Sequence, residues 1–137
     1  MPSVADKMSV LAQDGQTLVN HETKVLDGIH TLQVQELTAT GTVSSDTQFL
    51  LLNHASTVIA ATLSAPVVAG QVLVILNTSA SGTAAHTATL PSGVTWDGTN
   101  PIATLNAPGE MIRCIALSTT RYLVETNTGS VAFSGGS

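Results

Sequence analysis

From Thr47 through Trp96 the chain carries no Lys, Arg, Asp or Glu, and that silence limits what the stretch can become. Thr, Ser, Ala, Val and Leu fill it instead, and its Val, Ile and Thr suit a pleated, half-buried surface. Enzymes concentrate titratable groups around their chemistry, and nucleic-acid binders need basic surface. Only 9% of this chain is charged, which points to structure or binding rather than catalysis.

Within the stretch, Val58 to Leu76 is apolar enough to imitate a transmembrane helix. Pro66, Gly70 and Gln71 interrupt its middle, β-branched residues crowd both halves, and no Lys or Arg lies between Lys24 and Arg113 to set an orientation. Two buried strands joined by a Pro–Gly turn are expected here, and no membrane is expected as a partner. Met1–Lys7 lacks a basic start followed by a long apolar run, so no secretory leader is expected.

The chain has 137 residues and net charge −5, enough for one domain with a short extra arm. The acidic balance argues against DNA, RNA and anionic membranes as main partners. Phe49, Trp96, Tyr122 and Phe133 are its only aromatics. The core must therefore be aliphatic and thin, and a thin core favours oligomerisation. Cys114 is the sole cysteine and lies in an apolar run, the setting of a buried thiol.

Near residue 40 the character changes. The preceding part holds Asp6, Lys7, Asp14, Glu22, Lys24, Asp27 and Glu36. There Val4, Met8 and Leu11 fall at helical spacing after Ser3. Leu11, Leu18, Val25 and Leu32 recur every seven residues, with Ile29 at a second apolar heptad position. Gly15, Glu22 and Gly28 interrupt that seam. An extended or partly helical arm over residues 1–39 is expected, with a short helical stalk as the alternative. Val4, Met8, Leu11, Leu18, Val25, Ile29 and Leu32 are its candidate attachment or oligomerisation residues.

From Gln33 onward the pattern turns β. Gln33 to Thr38 alternates weakly, Gln48 to His54 and Ser56 to Leu63 are compact apolar runs, and Gln71 to Asn77 reads as a central strand buried on both faces. Met111 to Leu117 and Arg121 to Thr126 pair across Ser118–Thr120 as the clearest hairpin, and Val131 to Phe133 adds an edge. Eight to ten short strands predict an all-β domain over residues 40–137, a compact sandwich or jelly-roll-like fold. No internal repeat is visible.

The chemistry-bearing residues are sparse. His21, His30, His54 and His86 share no ligand spacing, so neither a metal nor another cofactor is expected. His54 and His86 sit at strand ends and read as loop histidines. No nucleophile elbow, phosphate loop or calcium loop is present. Asp97 and Glu110 read as turn formers, and no enzyme is expected. Trp96 and Tyr122 read as core residues. In a second reading Trp96 is a stacking platform for a sugar, with Asp97 and Asn100 as polar contacts.

Three runs carry a resemblance: Ala69–Asn77 (AGQVLVILN), Ala88–Asn100 (ATLPSGVTWDGTN) and Pro108–Glu125 (PGEMIRCIALSTTRYLVE). Together with the Ser-Val-Ala-Phe-Ser ending they resemble β-rich modules of tailed-phage virions, most of all capsid decoration (cement) proteins, and also tail-fibre or spike tips. The resemblance spans about residues 40 to 134 and includes no catalytic signature. It implies a homotrimer made in the host cytoplasm, bound to the major capsid protein on the virion surface and clamping neighbouring subunits. A receptor- or glycan-binding fibre tip is the alternative it implies.

Overall fold

The computed structural model describes residues 33–136. They form ten strands: β1 Val34–Leu37, β2 Gly41–Thr42, β3 Phe49–Leu52, β4 Ala60–Thr62, β5 Val72–Asn77, β6 His86–Thr89, β7 Ile102–Leu105, β8 Met111–Ser118, β9 Arg121–Thr128 and β10 Ala132–Ser134. Two five-stranded sheets result, ordered β1-β3-β5-β8-β9 and β10-β7-β6-β4-β2. The all-β sandwich expected from the sequence is therefore borne out. Val34–Leu37, on the arm side of the boundary expected near residue 40, is hydrogen-bonded into the first sheet beside β3.

The first six strands alternate between the sheets. In the first sheet β1, β3 and β5 run parallel, and in the second β2, β4 and β6 do the same. The chain thus winds three times around a common interior. The windings are unequal: Phe49 follows its partner Val34 by 15 residues (49 − 34), and Val74 follows Phe49 by 25 (74 − 49). β7 to β10 then close the structure antiparallel, β7 on β6, β8 on β5, β9 on β8 and β10 on β7. The expected central strand is β5, and the expected hairpin is β8–β9.

The run that imitates a membrane span is divided between the sheets. Its first half supplies β4, its second half β5, and the Pro66–Gly70 turn joins them. Gly70 has φ +93°, a left-handed conformation that costs glycine no steric penalty. No helix of the described residues is long and apolar enough to cross a membrane.

Large side chains meet small ones in the interior. The first sheet contributes Leu50, Leu52, Leu73, Ile75 and Ile112, all buried. Opposite them the second sheet sets a row in register, Gly41–Ala61–Ala88–Ala103. Small residues on one layer let the other interdigitate at native packing density, which is how a core poor in aromatics closes.

At the open edge Gln35 ties the layers together. It pairs with buried Leu50 across β1–β3, so its side chain faces inward. Its Nε2 donates to the Thr42 carbonyl (3.0 Å), and its Oε1 accepts from Ser44 N–H (2.9 Å) and from the Thr47 hydroxyl (3.0 Å). A neutral amide here satisfies three groups that the shortest strands leave over.

Ala88→Leu tests the small-residue row. Residue 88 is fully buried between Ala61 and Ala103, so added methylenes should lower unfolding free energy by about 1–3 kcal/mol. Urea denaturation measures this, and an unchanged midpoint would show that the row has room to spare.

Candidate functional site

The candidate recognition corner lies where Thr95–Asn100 meets the start of β9. Thr95 N–H donates to the Thr120 carbonyl (3.1 Å), and Tyr122 N–H donates to the Thr95 carbonyl (2.9 Å). This stitching turns Trp96 inward. Its ring is 0% exposed, it stacks on Tyr122 with centroids 5.1 Å apart, and its Nε1 donates to the Ala88 carbonyl (3.2 Å). The sugar-platform reading of Trp96 is corrected by this burial: the indole has no free face to offer a ligand. The core reading of Trp96 and Tyr122 describes what is found.

Asp97 and Asn100 are committed to the same loop. Asp97 Oδ1 accepts from Thr99 N–H (2.9 Å) and Asn100 N–H (2.7 Å), and Oδ2 accepts from the Asn100 amide (3.0 Å). Asn100 Oδ1 accepts in turn from Gly136 N–H (3.0 Å). Slight burial works to raise the Asp97 pKa, but the hydrogen bonds from Asn100 and Thr99 outweigh it and hold the carboxyl below its ordinary value. Asp97 is thus an Asx-turn former. The Asp97 and Asn100 groups expected to contact a sugar are spent on the loop and on the chain end.

A second polar cluster was not anticipated. His86, read from its strand-end position as a loop histidine, is fully buried. Its Nδ1 accepts from Ile59 N–H (3.0 Å), so the proton of the neutral ring sits on Nε2, 2.9 Å from the His54 carbonyl. Ser79 brackets the same residue, accepting from His54 N–H (3.1 Å) and donating to the His54 carbonyl (2.9 Å). His54 Nδ1 then accepts from Ser56 N–H (3.1 Å) and Thr57 N–H (2.9 Å). Between them, two imidazoles and a hydroxyl fasten the segment 54–59, which forms no strand of its own.

Ser79 Oγ and His86 Nε2 are 3.3 Å apart, a separation that resembles a nucleophile and its base. The tautomer argues otherwise. A base needs a free lone pair toward the hydroxyl, and here that nitrogen carries the proton. Both groups are also sealed from solvent. The period-two sequence His86-Thr-Ala88-Thr-Leu90 held the signal, because His86 shares the inward face with buried Ala88 and Leu90.

Two further titratable groups are structural. Glu110 is buried, and its Oε1 accepts from Asn106 N–H and from Ala107 N–H (2.9 Å), closing the turn before β8. Burial, and secondarily the charge of Glu125, pushes the Cys114 thiol up to about 12, which leaves it unreactive at neutral pH. Among the described residues no three His, Cys, Asp or Glu are grouped to hold a metal ion. A shallow depression of about 10 Å³, room for one water, lies between Val43, Thr47, Leu63, Gln71 and Tyr122. Thr47 and Gln71 on its rim already bond within the fold. His21 and His30, and the arm candidates Val4, Met8, Leu11, Leu18, Val25, Ile29 and Leu32, lie outside the described residues.

Two outcomes follow from this arrangement. Trp96→Ala should cost about 3–5 kcal/mol of stability, as emptying a buried aromatic site does, and equilibrium denaturation reads it directly. A loss below about 1 kcal/mol would contradict the core assignment. Burial, opposed by the His54 carbonyl contact, holds the His86 pKa below 6.5. The unfolded chain therefore binds the extra proton first. The His86 contribution is complete above about pH 6.5 and falls away as pH drops toward the folded pKa. Denaturation midpoints measured from pH 7.5 to 5 should decline, and His86→Asn should be less stable at pH 7.5 with a flatter profile. Asp97 acts in a separate window, below its ordinary value of 3.8.

No protein-family model matches this chain, and a search of curated proteins found no match to it either.

Proposed function

We propose that this chain is a structural virion protein that binds the outer capsid surface of a tailed phage and reinforces the lattice by clamping neighbouring capsid subunits. The observation that carries the reading is the use to which its polar side chains are put. Gln35, Asn77, Ser79, His86, Asp97 and Glu110 all hydrogen-bond within the fold, so the domain's polar chemistry serves rigidity. The likeness of its Thr/Ser/Gly-rich strands and Pro-Gly-Glu turn to capsid decoration modules supplies the partner, the major capsid protein. Self-association as a homotrimer belongs to the same reading.

Clamping works by linkage. A protein that binds across subunit boundaries in the closed lattice, and not in the opened one, adds its binding free energy to the cost of opening. The outer face of the second sheet suits such a setting. Thr42, Thr62 and Thr89 lie in register there beside a Thr87–Thr104 pair, an uncharged hydroxyl surface that resists nonspecific adhesion. The alternative, a glycan-binding fibre tip, is weakened by the burial of Trp96.

Purified chain added to particles lacking it should bind in proportion to the capsid subunits and raise the temperature at which the particles open. Binding confined to the tail, or none, would overturn the proposal. Removing residues 1–32 should abolish attachment while residues 33–137 keep a β-rich circular dichroism spectrum and a cooperative transition. Attachment retained by that truncation would remove the arm from the mechanism.

A further inference from the structure

A sandwich ordinarily turns polar residues outward. The second sheet does so, whereas the first turns mostly apolar residues outward along β3 and β5. Register places Phe49 beside Val74, Leu51 between Glu36 and Leu76, Leu76 beside Met111, and Ile115 between Val72 and Leu123, all on the face opposite the core. Leu123 is 45% exposed, and Val34 at the edge of the same face is 59% exposed. Phe49, Leu51, Val72, Leu76 and Ile115 are each partly accessible. Three ionisable residues share the face: Glu36 on the edge strand, and Arg113 and Glu125, which pair at 2.8 Å.

We propose that this outer face of the first sheet is where copies of the chain meet. Three features of the face select a second copy over an unlike partner. The first is its composition. Transient interfaces are about as polar as the rest of a surface and draw on Trp, Tyr and Arg, whereas interfaces between permanent copies resemble a domain core cut in half. Across β3, β5 and the ends of β8 this face is aliphatic with a single aromatic, Phe49, while Thr126 and Thr128 lie toward the β9 edge.

The second feature is its charge. Arg113 and Glu125 neutralise each other within one copy, so the centre of the face offers an acidic or basic partner nothing to pair with. Against an identical face that internal pair leaves no uncompensated charge. The third is area. Five strands about 4.8 Å apart, with up to three residue rows about 6.7 Å apart, outline roughly 400–500 Å². Two such faces bury roughly 800–1,000 Å², the lower limit of a specific interface.

The inference deepens the self-association included in the proposed function, but it does not depend on capsid attachment, because it is read on purified protein. Sedimentation equilibrium of the full chain between 1 and 100 µM (about the range in which interfaces of this size act) should give a dimer or trimer. Ile115→Lys, in the apolar row between Val72 and Leu123, should weaken association on the order of 100-fold, as an unpaired charge buried in an interface does. Leu123→Lys, at a position already exposed, guards against misfolding and should weaken it as well. Thr62→Lys, on the other sheet's outer face, should leave association unchanged. Cooperative thermal unfolding of each variant shows that the fold is kept. A full chain that stays monomeric at 100 µM overturns the proposal, and so does an oligomer that Leu123→Lys leaves intact. Neither result bears on whether particles bind the chain, so the two proposals fail separately.

Discussion

Everything in this domain depends on the narrow gap between its two sheets. The inward row Gly41–Ala61–Ala88–Ala103 provides little volume, so the leucines and isoleucines of the facing sheet, with Leu105 and the flanking Ile59, Leu63, Leu90 and Trp96, fill the interior. That division explains how so few aromatics suffice, and why the bulkiest of them, Trp96, is anchored through its ring nitrogen to the Ala88 carbonyl. A larger side chain at Ala61, Ala88 or Ala103, all fully buried, would push the sheets apart and strip contacts from both.

A chain with so few charges satisfies its buried backbone mostly by neutral means, Glu110 apart. Gln35 does this at the first winding, Asn77 and Ser79 after β5, and His86 beneath the segment 54–59. Each joins parts of the chain that strand pairing leaves unlinked. The described residues contain no buried side-chain nitrogen or oxygen lacking a hydrogen-bond partner. Polar residues here act as fasteners, and in a low-dielectric interior a fully satisfied fastener specifies geometry as well as stabilising it.

Much of the architecture was legible because it rests on local rules. Two strand runs joined across Ser118–Thr120 marked the hairpin β8–β9, a continuous apolar run marked β5 as central, and Pro66 with Gly70 ruled out a helix through the most hydrophobic segment. Strand order was not legible. Three parallel windings would show as a repeat if they were equal, but steps of 15 and 25 residues in one sheet leave no period to detect. β1 was harder to place than β5 because Val34–Leu37 is a half-exposed edge whose inward residues include Gln35. For the candidate site, Asp97 was readable as a turn former from Asp-Gly alone. The direction in which Trp96 points was not, since it is set by backbone bonds from Thr95 to residues more than twenty positions away.

The unequal windings also separate two things that most sheets couple. Residues added between strands lengthen a loop at the rim while the register of the strands beneath stays as it was. Loop closure grows costlier only with the logarithm of length. The core can therefore remain constant while the rim is free to vary, a division of labour that lets one scaffold meet surfaces of different contour without being redesigned from within.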